Sequence, residues 1–273
     1  MNQNTTQRLS PESIARHKKQ TPLVCLTAYS KPVAEYLDRH VDLLLVGDSL
    51  GMVLYGFEST RDVTVEMMIN HGRAVMRGST HACVIIDLPF GSYEDSPAEA
   101  LETARRVIKE TGASGVKLEG GAEMAGTVKT LTGHNIPVLG HIGLLPQHSV
   151  DKNGFRIQGR TADDHRRIID DARALEKAGA FAIVIEGTVE DTAREASNAV
   201  AIPTIGIGAS PECDGQILVT DDLLGLFSGF RPKFVKPYGD LKSRIEQAAM
   251  AYANDVQGRV FPGPEHVYQR DQT

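Results

Sequence analysis

The sequence predicts a (β/α)8 barrel of the TIM type with one extra helix at its N-terminal end. Three observations carry that prediction. Eight short apolar runs recur along the 273 residues, segments of helical period lie between them, and one strand–helix–strand pattern occurs twice. The runs occupy 23–29, 41–49, 82–90, 115–120, 136–143, 181–187, 202–209 and 233–239. They are nearly continuous stretches of Val, Ile and Leu rather than clean alternations, which is how strands covered on both faces read.

The helices follow in chain order. Ser10 and Pro11 mark a helix start ahead of the first strand. Ser96, Pro97 and Glu99 form a capping box with Pro at the first helical position, leading into Ala100, Ala104, Val107 and Ile108 on one face. Thr161 opens another helix, in which Ile168, Ala172 and Leu175 make one apolar stripe. Asp240 begins a third with Leu241, Ile245, Ala248 and Tyr252, whereas helical texture is weakest over 220–228. No Ser/Gly/Pro-rich linker or charge block interrupts the chain, so residues 1–273 read as a single barrel domain. The internal repeat pairs 112–120 (Gly-Ala-Ser-Gly-Val-Lys-Leu-Glu-Gly) with 179–187 (Gly-Ala-Phe-Ala-Ile-Val-Ile-Glu-Gly). Ile-Pro-x-x-Gly follows each, at Ile136 and Ile202. Glu119 and Glu186 thereby take equivalent places at the ends of the fourth and sixth strands.

Composition narrows the class of function. With 41% hydrophobic and 23% charged residues, 26 Gly and no Trp, the chain is of ordinary globular type, not disordered, collagen-like or coiled-coil. No run approaches the ~20 apolar residues that cross a bilayer, and the polar residues 1–20 lack the apolar core of a secretory signal. A net charge of −6 argues against nucleic acid or an anionic membrane as partner. Cys25, Cys83 and Cys213 are far apart, so zinc and disulfides are poor readings and a reducing cytoplasm is the better one. The expectation is a cytoplasmic enzyme.

In such a barrel the active site lies at the carboxyl ends of the strands. There the sequence places Asp48 and Ser49, Asp87, Lys117 and Glu119, His141 and Glu186, on strands two to six. A single Asp or Ser at a strand end is more often a cap or an Asx-turn than a catalyst. Five consecutive strands ending in ionisable groups are harder to explain that way, because Lys and Glu are rarely buried unless paired or functional. Lys117 and Glu119 are two apart and share one face of their strand. If Glu119 faces the mouth, Lys117 lies a layer deeper, where an ammonium needs an anion such as a substrate carboxylate. Asp48, Asp87 and Glu119 repel one another unless a cation lies between them. Oxygen ligands without Cys or a His pair suggest a hard ion such as Mg2+. The plainer alternative is a structural Asp87–Lys117 ion pair.

Other features carry less. Residues 151–154 (Asp-Lys-Asn-Gly) lack the later bidentate Glu of a calcium loop and read as a turn. Gly206 and Gly208 alone are weak evidence for phosphate binding. Cys25 and Cys83 read as core residues, and His71, beside Met67 and Val75 on a helix face, as a satisfied core histidine.

The same residues carry a resemblance. Residues 45–52 (Leu-Val-Gly-Asp-Ser-Leu-Gly-Met), 87–93 (Asp-Leu-Pro-Phe-Gly-Ser-Tyr), 116–121 (Val-Lys-Leu-Glu-Gly-Gly) and 140–143 (Gly-His-Ile-Gly) resemble the ketopantoate hydroxymethyltransferase family. So do 157–160, 205–208, 214–216 and 261–266, in the same order, so that the resemblance spans about 23–266. It implies a (β/α)8 barrel, Mg2+, and transfer of a hydroxymethyl group from 5,10-methylenetetrahydrofolate to 3-methyl-2-oxobutanoate. By resemblance Asp48, Asp87 and Glu119 fall at metal-ligand positions, and Asp48, Ser49, Asp87 and Lys117 at keto-acid positions. Glu186 falls at the catalytic base, where an apolar setting between Ile185 and Gly187 would suit a base. His141 is a further candidate for proton relay or substrate binding. Family members are homo-oligomers, often decamers. The chain departs from the family pattern at Leu145, Ser210 and Asn153, all in loops.

Two other readings stand beside this one. A Mg-dependent carbon–carbon lyase or aldolase of 2-oxo acids on the same barrel would share the metal and the carboxylate recognition without folate, but its reactive Cys motif is absent. A non-catalytic relative that keeps the fold fits poorly with the full set of Asp48, Asp87, Lys117, Glu119 and Glu186.

Overall fold

In the computed structural model, which describes residues 8–148, 156–226 and 231–270, eight parallel strands close into a barrel in sequence order. They are β1 (Leu23–Thr27), β2 (Leu43–Val46), β3 (Cys83–Asp87), β4 (Gly115–Glu119), β5 (Val138–Gly143), β6 (Ala182–Glu186), β7 (Thr204–Ile207) and β8 (Gly215–Leu218). The helices are α1 (Pro11–Ala15), α2 (Lys31–Leu37), α3 (Leu50–Val53), α4 (Val65–Gly78), α5 (Pro97–Thr111), α6 (Ala125–Gly133), α7 (Ala162–Lys177), α8 (Glu190–Asn198), α9 (Thr220–Leu223) and α10 (Leu241–Gln257). The predicted (β/α)8 barrel is present, and α1 is the extra N-terminal helix. The 151–154 turn lies outside the described residues.

Seven of the eight expected strands form where the apolar runs lie. The eighth does not: residues 233–239 are a turn and irregular backbone. Val235 N–H closes a turn on the Pro232 carbonyl, and Pro237 has no N–H to give to a ladder. Its place is taken by β8, which the loop 208–214 joins to β7 with no helix between. A strand of Gly, Gln, Ile and Leu lacks the continuous apolar signal of the others, and the missing helix breaks the expected alternation.

The alternation of inward and outward side chains fills the barrel with Leu23, Cys25, Leu43, Leu45, Cys83, Ile85, Leu139, Val184, Ile205 and Ile217. Ile14 of α1 is wholly buried in this cluster, with Leu9 and Ala15 packed against it, so the N-terminal helix plugs the end where the strands begin. Ser10 caps α1 through a reciprocal bond with Ser13. Thr161 and Asp240 cap α7 and α10 as their positions predict. The capping box expected at Ser96 is half made: Ser96 Oγ accepts the Glu99 N–H, but Glu99 makes no return bond. His71 is satisfied as expected, by the Tyr29 carbonyl at 2.6 Å and the Tyr55 hydroxyl at 2.9 Å.

The chain groups into two compact units, residues 1–220 and 221–273. The first holds all eight strands. In the second, α10 carries the predicted stripe, but no residue of the helix is buried; Ile245, Tyr252 and Val256 are exposed. Tyr252 packs on Phe261 with ring centroids 5.5 Å apart. Among the described residues no helix is long and apolar enough to cross a membrane.

Candidate active site

The inward-facing polar positions begin where the apolar layers end. Asp87 and Lys117 sit side by side in the β3–β4 register, and Glu119 and His141 in the β4–β5 register. Glu186 closes β6 opposite Gly143. Gly143 has φ +91°, and a Cβ there would lie 2.3 Å from the Glu186 carbonyl oxygen, so only glycine lets β5 run this close to Glu186. Asp48 and Ser49 follow β2 at the turn into α3.

All seven sequence candidates line one cavity of about 100 Å³: Asp48, Ser49, Asp87, Lys117, Glu119, His141 and Glu186. Thr27, Leu45, Val184, Ile207, Ile217 and Leu218 are among the residues that complete its wall. This volume is well below the ~300–1,000 Å³ of pockets for drug-sized ligands and suits a small molecule.

The hydrogen bonds order the cluster. Lys117 Nζ donates to Asp87 Oδ1 at 2.8 Å, with both side chains nearly inaccessible, so the ion pair foreseen as the plainer alternative is formed. It is formed inside the cavity wall rather than away from it. The Asp48 N–H donates to the other oxygen of Asp87 at 3.1 Å. Ser49 Oγ lies 2.8 Å from the Tyr29 hydroxyl. His141 stands between two carboxylates, Nδ1 at 3.5 Å from Glu119 and Nε2 at 3.2 Å from Glu186, at ion-pair distance without aligned hydrogen bonds. The Glu186 side chain is 19% exposed and abuts this imidazole, so its setting is less apolar than its neighbours in sequence suggested.

Electrostatics set the protonation pattern. Burial, then the charges of Asp87 and Glu119, push the Asp48 carboxyl up to about 8. Burial opposes the charge on Lys117, but Asp87, Glu119 and Asp48 outweigh it and hold the ammonium above its ordinary value. His141 is pulled down by burial and by Lys117, yet the flanking Glu119 and Glu186 raise it to about 9. Glu119 is held below the usual carboxylate range, its burial overcome by His141, Lys117 and the Gln147 N–H. Three buried acidic side chains therefore face one ammonium and one imidazolium, with Asp48 the one that keeps its proton at neutral pH.

Two participants have no signal in the sequence pattern. Gln147, wholly buried in the turn after β5, donates from Nε2 to Asp48 Oδ2 at 2.8 Å and from its N–H to Glu119 Oε2 at 3.0 Å. The Tyr93 hydroxyl lies 2.5 Å from Gln147 Oε1. Tyr93 falls within the quoted 87–93 segment without an assigned role, and a neutral amide in a loop has no period to betray it. Among the described residues no three His, Cys, Asp or Glu side chains form a ready-made metal site; Lys117 holds one oxygen of Asp87 and Gln147 one of Asp48.

Residues 8–264 match the family described as ketopantoate hydroxymethyltransferase. The 3-methyl-2-oxobutanoate hydroxymethyltransferase of Brucella canis is 59% identical over 97% of this chain and 96% of its own length. Among solved structures, a putative phosphonomutase from Burkholderia cenocepacia aligns with a TM-score of 0.63 at 16% identity, over 89% of this chain and 96% of its own. A 2,3-dimethylmalate lyase of the PEP mutase/isocitrate lyase superfamily aligns with 0.59 at 14%, over 96% and 89%. At such identities these structures are evidence of a shared fold alone.

Proposed function

The chain belongs to the ketopantoate hydroxymethyltransferase family, and from that premise we propose that its cavity converts 3-methyl-2-oxobutanoate to 2-dehydropantoate by enolisation and attack on the one-carbon unit of 5,10-methylenetetrahydrofolate. The enzyme is a transferase. One observation carries the assignment to this cavity: ionisable side chains from five consecutive strand ends converge on a single small cavity, with the base candidate on its wall.

The substrate is a small acid with a branched apolar end. Lys117 retains N–H groups beyond the one given to Asp87 and offers them to the substrate carboxylate. Leu45, Val184, Ile207 and Ile217 give the isopropyl group an apolar wall. Glu186 takes the C3 proton, and His141 Nε2 stands 3.2 Å from its carboxylate, the one charged neighbour it meets on the cavity wall. Ser49, anchored by Tyr29, borders the keto-acid space. The cavity of about 100 Å³ has no room for folate, so the co-substrate presents its one-carbon unit at the mouth.

A divalent metal fits the residues on charge and donor type. Burial and the charges of Asp87 and Glu119 push Asp48 up to about 8 even with Lys117 nearby, and all three offer the oxygen ligands that Mg2+ prefers. Asp48, Asp87 and Glu119 would hold the ion, whose positive charge would stabilise the developing enolate oxygen.

Proton exchange at C3 of 3-methyl-2-oxobutanoate, followed by NMR in D2O with Mg2+ and without folate, tests this reading. Enzyme-dependent loss of the C3 proton is expected, with hydroxymethyl transfer once 5,10-methylenetetrahydrofolate is added. No exchange with Mg2+ present would overturn Glu186-driven enolisation.

A further inference from the structure

Gln147 is hydrogen-bonded to two of the cavity's acidic side chains, Asp48 and Glu119, yet it carries no charge and no chemistry of its own. We infer that Gln147 is a positioning residue that ties Asp48 to Glu119 and dictates which of their oxygens face an incoming cation, and that Tyr93 locks its amide in the required direction. The inference rests on the proposed metal role of those two carboxylates.

Proton counting fixes the direction of the amide. The backbone N–H of Glu119 lies 3.2 Å from the Tyr93 hydroxyl oxygen and can only donate. Tyr93 therefore accepts there, and of the two acceptors within reach of its single proton, Gln147 Oε1 at 2.5 Å and the Glu119 carbonyl at 3.5 Å, the nearer takes it. The opposite end of the amide reaches the Leu88 carbonyl at 3.1 Å, a group that can only accept. Both constraints agree: oxygen towards Tyr93, nitrogen towards Leu88 and Asp48. A flipped amide would set oxygen against two acceptors and leave the Tyr93 proton facing N–H groups.

The consequence falls on the two carboxylates. Asp48 Oδ2 takes the amide N–H and Glu119 Oε2 takes the backbone N–H of the same residue, while Glu119 Oε1 faces His141. Asp48 Oδ1 has no protein donor among the described residues and is the oxygen left for a ligand. Asp48 follows β2 and Glu119 ends β4, on either side of the Asp87 strand, so one buried residue sets the separation of two groups that repel each other. A lysine at this position would also bridge them, but its charge would compete with a cation. A neutral donor orients the carboxylates and leaves the negative field intact.

The test titrates wild type, Tyr93→Phe and Gln147→Glu with Mn2+ alone by calorimetry, records thermal melting, and measures kcat and KM across Mn2+ concentrations. Tyr93→Phe deletes only the hydroxyl that orients the amide. Gln147→Glu keeps the shape and removes the amide N–H groups given to Asp48 and Leu88, while the backbone N–H to Glu119 stays. Loss of such outer partners commonly costs ~10–100-fold in metal affinity. We expect a loss in that range for both variants, with turnover of Tyr93→Phe restored by saturating Mn2+ although its melting falls with the loss of the bonds to Gln147 and to the Glu119 N–H. Unchanged Mn2+ affinity in both variants would overturn the inference, as would activity loss that tracks melting and resists excess metal. Absence of Mn2+ binding by the wild type would instead remove the metal reading itself, and the inference with it.

Discussion

Where the strands begin, Asp38 accepts from Ser79 Oγ at 2.6 Å, from the N–H groups of Thr80, His81 and Ala82 at 2.7 to 2.9 Å, and from Thr80 Oγ1. Asp214, at the same end, accepts from Lys18, the Lys19 N–H, and both the N–H and hydroxyl of Thr204. Where the strands end, Asp48 receives one side-chain donor, from Gln147, and faces Asp87 and Glu119. Burial opposes ionisation at both ends. At the first end the donors win and hold Asp38 and Asp214 below the ordinary carboxylate range; at the second, burial and like charge win and Asp48 is raised. The cavity's acidic groups lack that density of donors, which suits the substrate and cation proposed for them. One end of the barrel is built to hold the fold, the other to bind.

Deleting the Asp38 carboxylate should give the largest effect and should fall on stability alone. Asp38→Ala strands the buried Ser79 hydroxyl and Ala82 N–H together with the more accessible N–H groups of Thr80 and His81, and unpaired buried donors cost ~1–3 kcal/mol each before the site relaxes. A loss of about 3 kcal/mol in urea unfolding is expected, with kcat/KM of the folded fraction unchanged. A fall in kcat/KM at constant stability would mean that the two ends are not separable in this way.

Glu186→Gln is the converse. Its side chain is partly exposed and meets a single neighbour of opposite charge, so folding and Mn2+ binding should persist. Turnover should drop by at least ~10²-fold, the usual scale for a lost general base. Wild-type-like turnover would take Glu186 out of the role.

The same division decides what could be read without a structure. Acids and a lysine inside apolar strands violate the burial expected of their type, so Asp87, Lys117, Glu119 and Glu186 stand out against the pattern, and strand period places Lys117 and Glu119 on one face. Gln147 and Tyr93 violate nothing; their roles depend on partners that the fold brings from 26 to 99 residues away. Asp38 is invisible for the same reason, because its donors lie more than forty residues downstream. Asp214 lies in a segment that matches the family, but residues 214–216 do not reveal that Lys18 and Thr204 close on it. Strand β8 was missed because its alternation is short and half glycine and glutamine, while the longer apolar run at 233–239 contains Pro237. Helix α10 shows the limit from the other side: its stripe is correctly periodic, yet period alone does not say what buries it.

The smallest expected effect separates the two ends by pH. In the unfolded chain an Asp titrates near ~3.9, whereas Asp48 in the folded protein is raised to about 8. A carboxyl whose folded value lies above its unfolded one binds more protons when folded, so its contribution to stability declines as pH rises from about 4 to about 8. Asp38 and Asp214 are shifted the other way; their contribution is complete above ~pH 4 and is lost only as pH falls through their folded values. Asp48→Asn keeps an oxygen acceptor for Gln147 and removes the charge. In metal-free protein it should therefore be more stable than wild type at pH 8, by on the order of 2 kcal/mol once relaxation of the site is allowed for. The gap should close towards pH 4, and Mn2+ should narrow it at pH 8 by stabilising the wild type selectively. Unfolding curves at both pH values, with and without Mn2+, measure all three terms. A variant less stable than wild type at pH 8 without metal would show that the Asp48 carboxylate is satisfied by its neighbours, and the contrast between the two ends would fail.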